Sequence, residues 1–549
     1  VDYEGMLFRL EELSSSEMDR RRFLKTTAQF AVMALGFTLF HPWPGLRVEA
    51  APRFPLYPFT LGVASGDPLS DGIVLWTRLA PDPLNGGGMP FYRVPVRWEV
   101  ATDENFRHVV KKGTTYASPE WGHSVHVDVR GLRPGREYWY RFKSGSELSP
   151  VGRTKTAPTP HSLQRELVFA FASCQNFEHG YYTAYRRMAE EDLDVVIHLG
   201  DYIYENGSGQ NTAPGGNVRK HHGRETLTLE AYRNRYAQYR TDPDLQLAHA
   251  SFPWMVTWDD HEVDNDYAGL IPEDGTSREK FIQRRIAAYQ AYYEHMPLRR
   301  DSLPAGRHMQ IFRRFTFGDL AQFHLLDTRQ YRDRQAGGGK WRAPGEEAVS
   351  PDRTLLGVEQ ETWLFRELHH SEARWNILAQ QVFFAQRDLK KGSEKLQSMD
   401  AWDGYADSRR RVLEYLAHDR VSNPVVLTGD VHANWACDLL ADFDHPTSTV
   451  VGTEFVGTSI SSGGDGSDFR RSARRILDHN PHIHFHNNHR GYVRCRLTPQ
   501  YWQTDYRVVP YVSRPGAPIL TRASFVVENG RPGISQISET SVPTYKGDR

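Results

Sequence analysis

The chain has 549 residues, a formal net charge of -1, and is 39% hydrophobic, 25% charged and 12% aromatic. That length allows two or three domains with a large buried core, and the near-neutral balance lacks the basic field of a bulk nucleic-acid binder, so no stable nucleic-acid complex is expected. Cys174, Cys437 and Cys495 are too few for a disulfide framework; Cys437 and Cys495 could pair in an oxidising compartment, leaving Cys174 free.

Residues 1–51 read as a targeting segment. Arg20-Arg21-Arg22-Phe23-Leu24-Lys25 resembles a twin-arginine export motif, followed by a weakly apolar stretch from Ala28 to Phe40 and a small-residue site at Val48-Glu49-Ala50. The expected consequence is export in the folded state by the twin-arginine translocase, to the periplasm or beyond. The plainer alternative is a basic amphipathic helix. No other segment has the apolar length of a membrane span, so the mature form is expected to have no transmembrane anchor.

Residues 52–160 read as a small β-sandwich. Apolar residues alternate in Val94-Pro95-Val96-Arg97-Trp98-Glu99-Val100 and in Ser124-Val125-His126-Val127-Asp128-Val129. Leu132-x-Pro134-Gly135-x-x-Tyr138-x-Tyr140 resembles the tyrosine-bearing edge of fibronectin type III sandwiches, where a phenol ties a corner to nearby backbone. The proline-bearing stretch 154–162 is the linker out.

From residue 161 to 510, strand and helix patterns alternate, which predicts a layered α/β domain. Leu167 to Ala172 runs into Ser173-Cys174, Val195 to Leu199 into Gly200-Asp201, Trp254 to Thr257 into Trp258-Asp259-Asp260-His261, and Pro424 to Thr428 into Gly429-Asp430-Val431-His432. One acid after a strand is usually a helix N-cap. Four strands that all end in ligand-type side chains point to a polynuclear metal centre at the carboxyl edge of a sheet, where open α/β folds bind ligands.

Other features carry thinner signals. Leu229, Tyr232, Tyr236 and Tyr239, after Thr228, read as the core face of a helix. The glycine-rich run Asn206 to Gly223 reads equally as a substrate-facing loop or a solvated one. Arg329, after the strand Ala321 to Leu326, could neutralise a phosphate or pair with Asp327. His479, His482, His484, His486 and His489 read as strand and turn residues rather than ligands. Residues 511–549 have strand-like pieces with no legible role.

The blocks SCQNF, HLGDYIYE, WDDHEVDN and LTGDVHANW together resemble those of the PhoD-type alkaline phosphatases, a branch of the calcineurin-like metallophosphoesterases. The resemblance extends to about residue 510. It implies an exported, monomeric enzyme that hydrolyses phosphate monoesters, and diesters too, in small phosphoester substrates by attack of metal-bound hydroxide. It implies Fe3+ with Ca2+: Asp201 bridging, Cys174, Tyr204 and His432 on one ion, Asp260 and Asp430 with Asn265 on the other. His261 would touch the phosphoryl oxygen or protonate the leaving group, and Arg329 would meet the substrate. Two departures from the wider superfamily stand out: Cys174 replaces the first Asp-x-His block, and Tyr204 stands in the place of an acid. The alternatives are a phosphodiesterase or phospholipase D-like hydrolase with the same centre, and a non-enzymatic exported binding protein on the same fold. Phe455 to Gly464 resembles the family's loop after the last metal block and is expected to be scaffold.

Overall fold

The computed structural model describes residue 52 and residues 54–542, apart from 391–393, 419–420 and 446. The export reading of residues 1–51 lies outside the described residues.

Two sheets dominate. The centre of the first is parallel, with Leu167–Ala172, Val195–His198, Pro253–Val256 and Val63–Leu69 side by side. The centre of the second is parallel too, with Ala321–Leu325, Trp375–Ala379, Pro424–Thr428 and Val450–Val456 adjacent. Most of these strands are covered on both faces, and so they read in sequence as unbroken apolar runs rather than as alternations. Antiparallel strands extend both sheets, to ten and seven strands.

The sheets pack face to face. Phe169 of the first meets Phe323 of the second edge-on, with ring centroids 5.2 Å apart, and Trp502 of the first meets Trp375 of the second at 5.7 Å. Helices Thr183–Ala189, Leu229–Arg240, Pro243–Ser251 and Arg278–His295 cover the outer face of the first sheet. Gly357–His369, Ala406–Leu416 and Arg471–His479 cover the second. The order of layers is therefore helix, sheet, sheet, helix, an α/β fold. The tyrosine helix begins as expected: the Thr228 hydroxyl accepts from the Ala231 amide, and Tyr232, Tyr236 and Tyr239 are buried in the core.

Residues 52–160 are mostly strands, but they do not keep to themselves. Val94–Ala101, Val109–Ala117, Glu137–Ser144, Glu147–Leu148 and Gly152–Lys155 form a separate five-stranded sheet. Val63–Leu69, Gly72–Arg78 and Ser124–Arg130 pack against it while belonging to the ten-stranded sheet, which they join where Ser65 pairs with Pro253. The Tyr138 hydroxyl accepts from the Arg133 amide at 2.9 Å, the corner tie that the sequence pattern implied. At the opposite side of the ten-stranded sheet, Leu520–Glu528 and Arg531–Glu539 are its last two strands, which gives the carboxyl-terminal segment its role.

The suggested pairing of Cys437 with Cys495 is corrected. Both are free and buried. Cys437 lies on Asn434–Leu440 of the second sheet among residues facing the outer helices, whereas Cys495 lies on Arg490–Leu497 of the first, in the layer between the sheets.

Candidate metal centre

All eight central strands of the two sheets are parallel within their sheets, and the chain leaves the strands that matter at one edge. The edges are sewn together by backbone. The Cys174 amide donates to the Gly200 carbonyl at 3.1 Å, the Gln175 amide to Asp201 at 3.0 Å, and across the sheets the Ile460 amide to Ser173 at 3.0 Å. Gly200 has a φ of 109° and packs so tightly that a Cβ would lie 2.4 Å from the Asp259 nitrogen, so only glycine fits between the two acidic turns.

Three side-chain groups of metal-ligand type follow, each with ligand atoms within 4.8 Å of one another: Cys174 with Asp201 and His432, Asp201 with Asp260 and His261, and Asp259 with Asp260 and Asp430. Asp201 is shared by the first two and Asp260 by the last two. Tyr204 completes the first group, its hydroxyl 2.9 Å from Asp201 Oδ2 and 3.2 Å from His432 Nε2. Of the expected ligands, the structure thus brings together Cys174, Asp201, Tyr204, Asp260, Asp430 and His432.

The donor chemistry fits cations. Asp201 Oδ1, Asp259 Oδ2 and Asp260 Oδ1 are buried with no hydrogen-bond partner. Orphaned carboxylate oxygens at this density cost free energy unless a cation meets them. Burial, reinforced by Asp260, Glu262 and Asp430 against the pull of His261, pushes the Asp201 carboxyl well above the usual range. Burial, then Asp201, does the same to the Cys174 thiol and the Tyr204 phenol, so the surroundings disfavour the anionic form of all three. A bound cation reverses that balance. Burial keeps His432 well below its ordinary value, leaving the neutral imidazole that a metal requires.

His261 lies beside the shared acids. Its Nδ1 is 2.7 Å from Glu205 Oε2, which fixes the ring and leaves Nε2 for the site. Burial alone would lower its pKa, but Glu205, Asp201 and Asp260 hold it well above the ordinary value.

Asn265 donates from its side-chain nitrogen to Glu273 Oε2 at 2.6 Å and from its backbone amide to Glu205, and its side-chain oxygen, the atom that would meet an ion, has no hydrogen bond among the described residues. One expected site residue is placed otherwise. Arg329 is not a phosphate contact: it is 0% exposed, with its guanidinium on Asp259, on Asp400 at 3.0 Å and on Asp430 at 3.3 Å. Nor is it Asp327's ion-pair partner, since the Asp327 carboxylate accepts from the amides of Arg329 and Gln330 and from the Gln330 side chain. It is the fixed counter-cation of the acidic cluster.

Other contributors were not singled out from the sequence. The Glu262 carboxylate accepts from the amides of Asp201 at 3.0 Å, Tyr202 at 2.6 Å and Asp259 at 2.9 Å, and so holds both acidic turns. The Ser462 hydroxyl, in the loop expected to be scaffold, lies 2.8 Å from both the Tyr204 hydroxyl and the Cys174 carbonyl. Asp259 and Glu262 stand inside the WDDHEVDN block, where doubled acids were the available signal. Asp400 has none, being far from every block in sequence.

The model of the PhoD-like phosphatases matches residues 169–506, and that of the PhoD-like phosphatase N-terminal domain matches residues 47–158. The chain belongs to the PhoD-like phosphatase family. Alkaline phosphatase D of Bacillus subtilis (strain 168) is 56% identical over 532 residues, 97% of this chain and 91% of that protein. A solved structure described as the structure of PhoD superposes with a TM-score of 0.89 at 59% identity, over 90% of this chain and 94% of its own. The PhoD-like match spans every residue of the three ligand groups, and the enzyme is a phosphatase.

Proposed function

We propose that the chain is a metal-dependent hydrolase of phosphate monoesters and diesters, working with Fe3+ and Ca2+. The observation that carries this reading is the buried cluster in which unpartnered carboxylate oxygens, a thiol, a phenol and a neutral imidazole converge. Cys174, Asp201, Tyr204 and His432 would hold the trivalent ion, and Asp201, Asp260 and Asp430, with Asp259 beside them, the harder one. Bound cations supply a water of lowered pKa and neutralise phosphoryl oxygens. The chain's own residues do the rest. Glu262 fixes the two turns that aim the acids. Arg329 opposes the mutual repulsion of Asp259, Asp260, Asp400 and Asp430, favouring their charged forms against burial. His261, oriented by Glu205, holds a proton on the side facing the site and can deliver it to the departing oxygen.

A diester preference, including phospholipase D-like action, would use the same centre with a different leaving-group pocket. We read residues 1–51 as a twin-arginine signal that places the enzyme in the periplasm or outside, and the mature chain as a monomer acting on a small phosphoester. The Tyr138 tie supports a fibronectin type III relationship for the strand-rich region before residue 160.

The test is elemental analysis of purified protein beside a panel of mono- and diesters. Iron and calcium should both be present, a calcium-selective chelator should abolish turnover, and added calcium should restore it. A phenolate on trivalent iron absorbs visible light, so the protein should be coloured and Tyr204→Phe should bleach or shift the band, while Tyr202→Phe, whose hydroxyl lies on His249, should not. Full activity in exhaustively chelated protein free of both metals would overturn the reading.

A further inference from the structure

Beside Asp430, on the side of the centre formed by the second sheet, lies a cleft of about 560 Å³. Its lining carries both signs: the acids Asp430, Asp400, Asp266 and Glu273, and the cations Arg387, Arg470 and Lys340, with the imidazole of His486 among them.

Arg387 is the unusual member. It is 8% exposed, yet among the described residues its guanidinium has no hydrogen bond and no carboxylate within ion-pair distance. What holds it is aromatic: it lies 4.4 Å over the Phe383 ring, 5.0 Å over Trp341 and 6.0 Å over Trp435. Those faces attract the charge of the guanidinium but do not use its N–H groups. The acids that act on it from a distance are Asp403, which is bonded to Arg409, then Asp430 and Glu454. Arg329 and Arg409 have carboxylate partners, and other buried arginines without one, Arg78, Arg235, Arg240, Arg285 and Arg490, each donate to backbone carbonyls, whereas Arg387 has neither, and an uncompensated buried charge is costly.

Its neighbours deepen the deficit. Arg470 gives one N–H to the His432 carbonyl at 3.2 Å, and the charged group felt most at its guanidinium is Arg387 itself, a like charge. His486 is 3% exposed, and both of its ring nitrogens lack a partner, with the ring packed edge-on against Trp435 and Phe469. Two guanidinium groups, a lysine and an unsatisfied imidazole thus line one cleft together with Asp430 of the candidate metal centre.

We infer that this cleft is an anion subsite, in which Arg387 and Arg470, with His486 beside them, bind a second negatively charged group on the substrate, so that the enzyme selects phosphoesters whose leaving alcohol carries a further phosphate or similar anion. The inference rests on the reading of the adjoining cluster as the site of hydrolysis. Arg387 is the specificity residue: it is buried and held among three rings in advance, so little order is lost when it grips an oxyanion through its N–H groups. The role of Arg329 makes this division necessary, since that arginine is consumed by the carboxylates and offers nothing to an incoming anion.

The test uses metal-replete full-length protein and alkyl phosphates of matched length: hexyl phosphate against hexane-1,6-diyl bisphosphate, with shorter diols in series. The wild type should favour one bisphosphate over its monophosphate by about tenfold or more in kcat/KM, the scale of one charge-assisted contact. Arg387→Met, which keeps the apolar stem between the rings, and Arg470→Ala, at an exposed position, should each bring that ratio toward one, with Arg387→Lys intermediate. Circular dichroism and melting temperature establish that each variant is folded, and Arg470→Ala carries the test if Arg387→Met is not. Calorimetric titration with the non-hydrolysable hexane-1,6-diyl bisphosphonate gives an independent reading. Ready hydrolysis of the monophosphate with no preference for any bisphosphate, or a preference untouched in the folded variants, overturns the subsite and leaves the phosphatase reading standing. Arginine-dependent binding of the bisphosphonate without hydrolysis of any phosphoester supports the subsite and sinks the reading of the metal cluster.

Discussion

Cys174, Asp201, Asp430 and His432 have φ values of 59°, 55°, 61° and 51°, in the left-handed region that non-glycine residues seldom occupy. Each such residue costs roughly 1–3 kcal/mol and persists only where its surroundings insist on it. Here the reversal at a strand end turns the side chain back over the edge of the sheet, toward the ends of neighbouring strands. Asparagine tolerates that backbone nearly as well as aspartate, so Asp201→Asn isolates the loss of the shared carboxylate from any change in the turn. Metal-replete Asp201→Asn should lose about a thousandfold or more in turnover, the scale set by loss of a principal electrostatic group. In metal-free protein the same change should melt no lower than the parent, because burial and three neighbouring acids already oppose the charge at that position. Near-normal turnover would remove Asp201 from the centre, and a lower melting temperature would mean that its carboxylate stabilises the fold by itself.

Turns, more than strands, decide what the edge can do. Glu262 collects three amides from two different turns, an anion in a nest of N–H donors, and ties the Asp201 turn to the Asp259–Asp260 turn. Glu262→Gln keeps one acceptor oxygen and turns an amide group toward at least one of those donors. It should therefore cost about 1–3 kcal/mol, read as a lower melting temperature, together with weaker metal retention on dialysis; unchanged values in both would show that the nest is not what holds the turns. The strands themselves were legible in the sequence because a parallel strand buried on both faces leaves an unbroken apolar run, and the ligand-type residues that end them were legible for the same reason. The surroundings of Arg329 were not, since proximity in sequence could not say that Asp400, seventy-one residues further along, would approach it. The roles of Glu205 and Ser462 depend on approaches of 56 and 258 residues. Block spacing carries no such information.

Across the whole molecule, stability and site geometry meet in the layer between the sheets. Trp502 is fully buried there, edge-on to Phe169 and Trp375 and stacked on Phe455 at 6.2 Å. Trp502→Ala should cost about 3–5 kcal/mol by opening a cavity between the sheets, measured by chemical denaturation; a loss under about 1 kcal/mol would mean that the layers close over the gap. The sandwich boundary and the tail were opaque at this scale, because strands such as Val63–Leu69 and Leu520–Glu528 acquire their role only by adding to a sheet whose centre lies elsewhere in the chain.

The shared edge also has a bearing on the order of events during synthesis. When residue 261 has been made, Cys174, Asp201, Asp259 and Asp260 exist, but Asp430 and His432 do not, and neither does the strand Pro424–Thr428 that delivers them. An ion captured by the early half would find an incomplete set of donors and could leave again. On the proposed ligand sets, tight retention is expected only after the second sheet has closed on the first, so loading with metal would distinguish a finished chain from a truncated one.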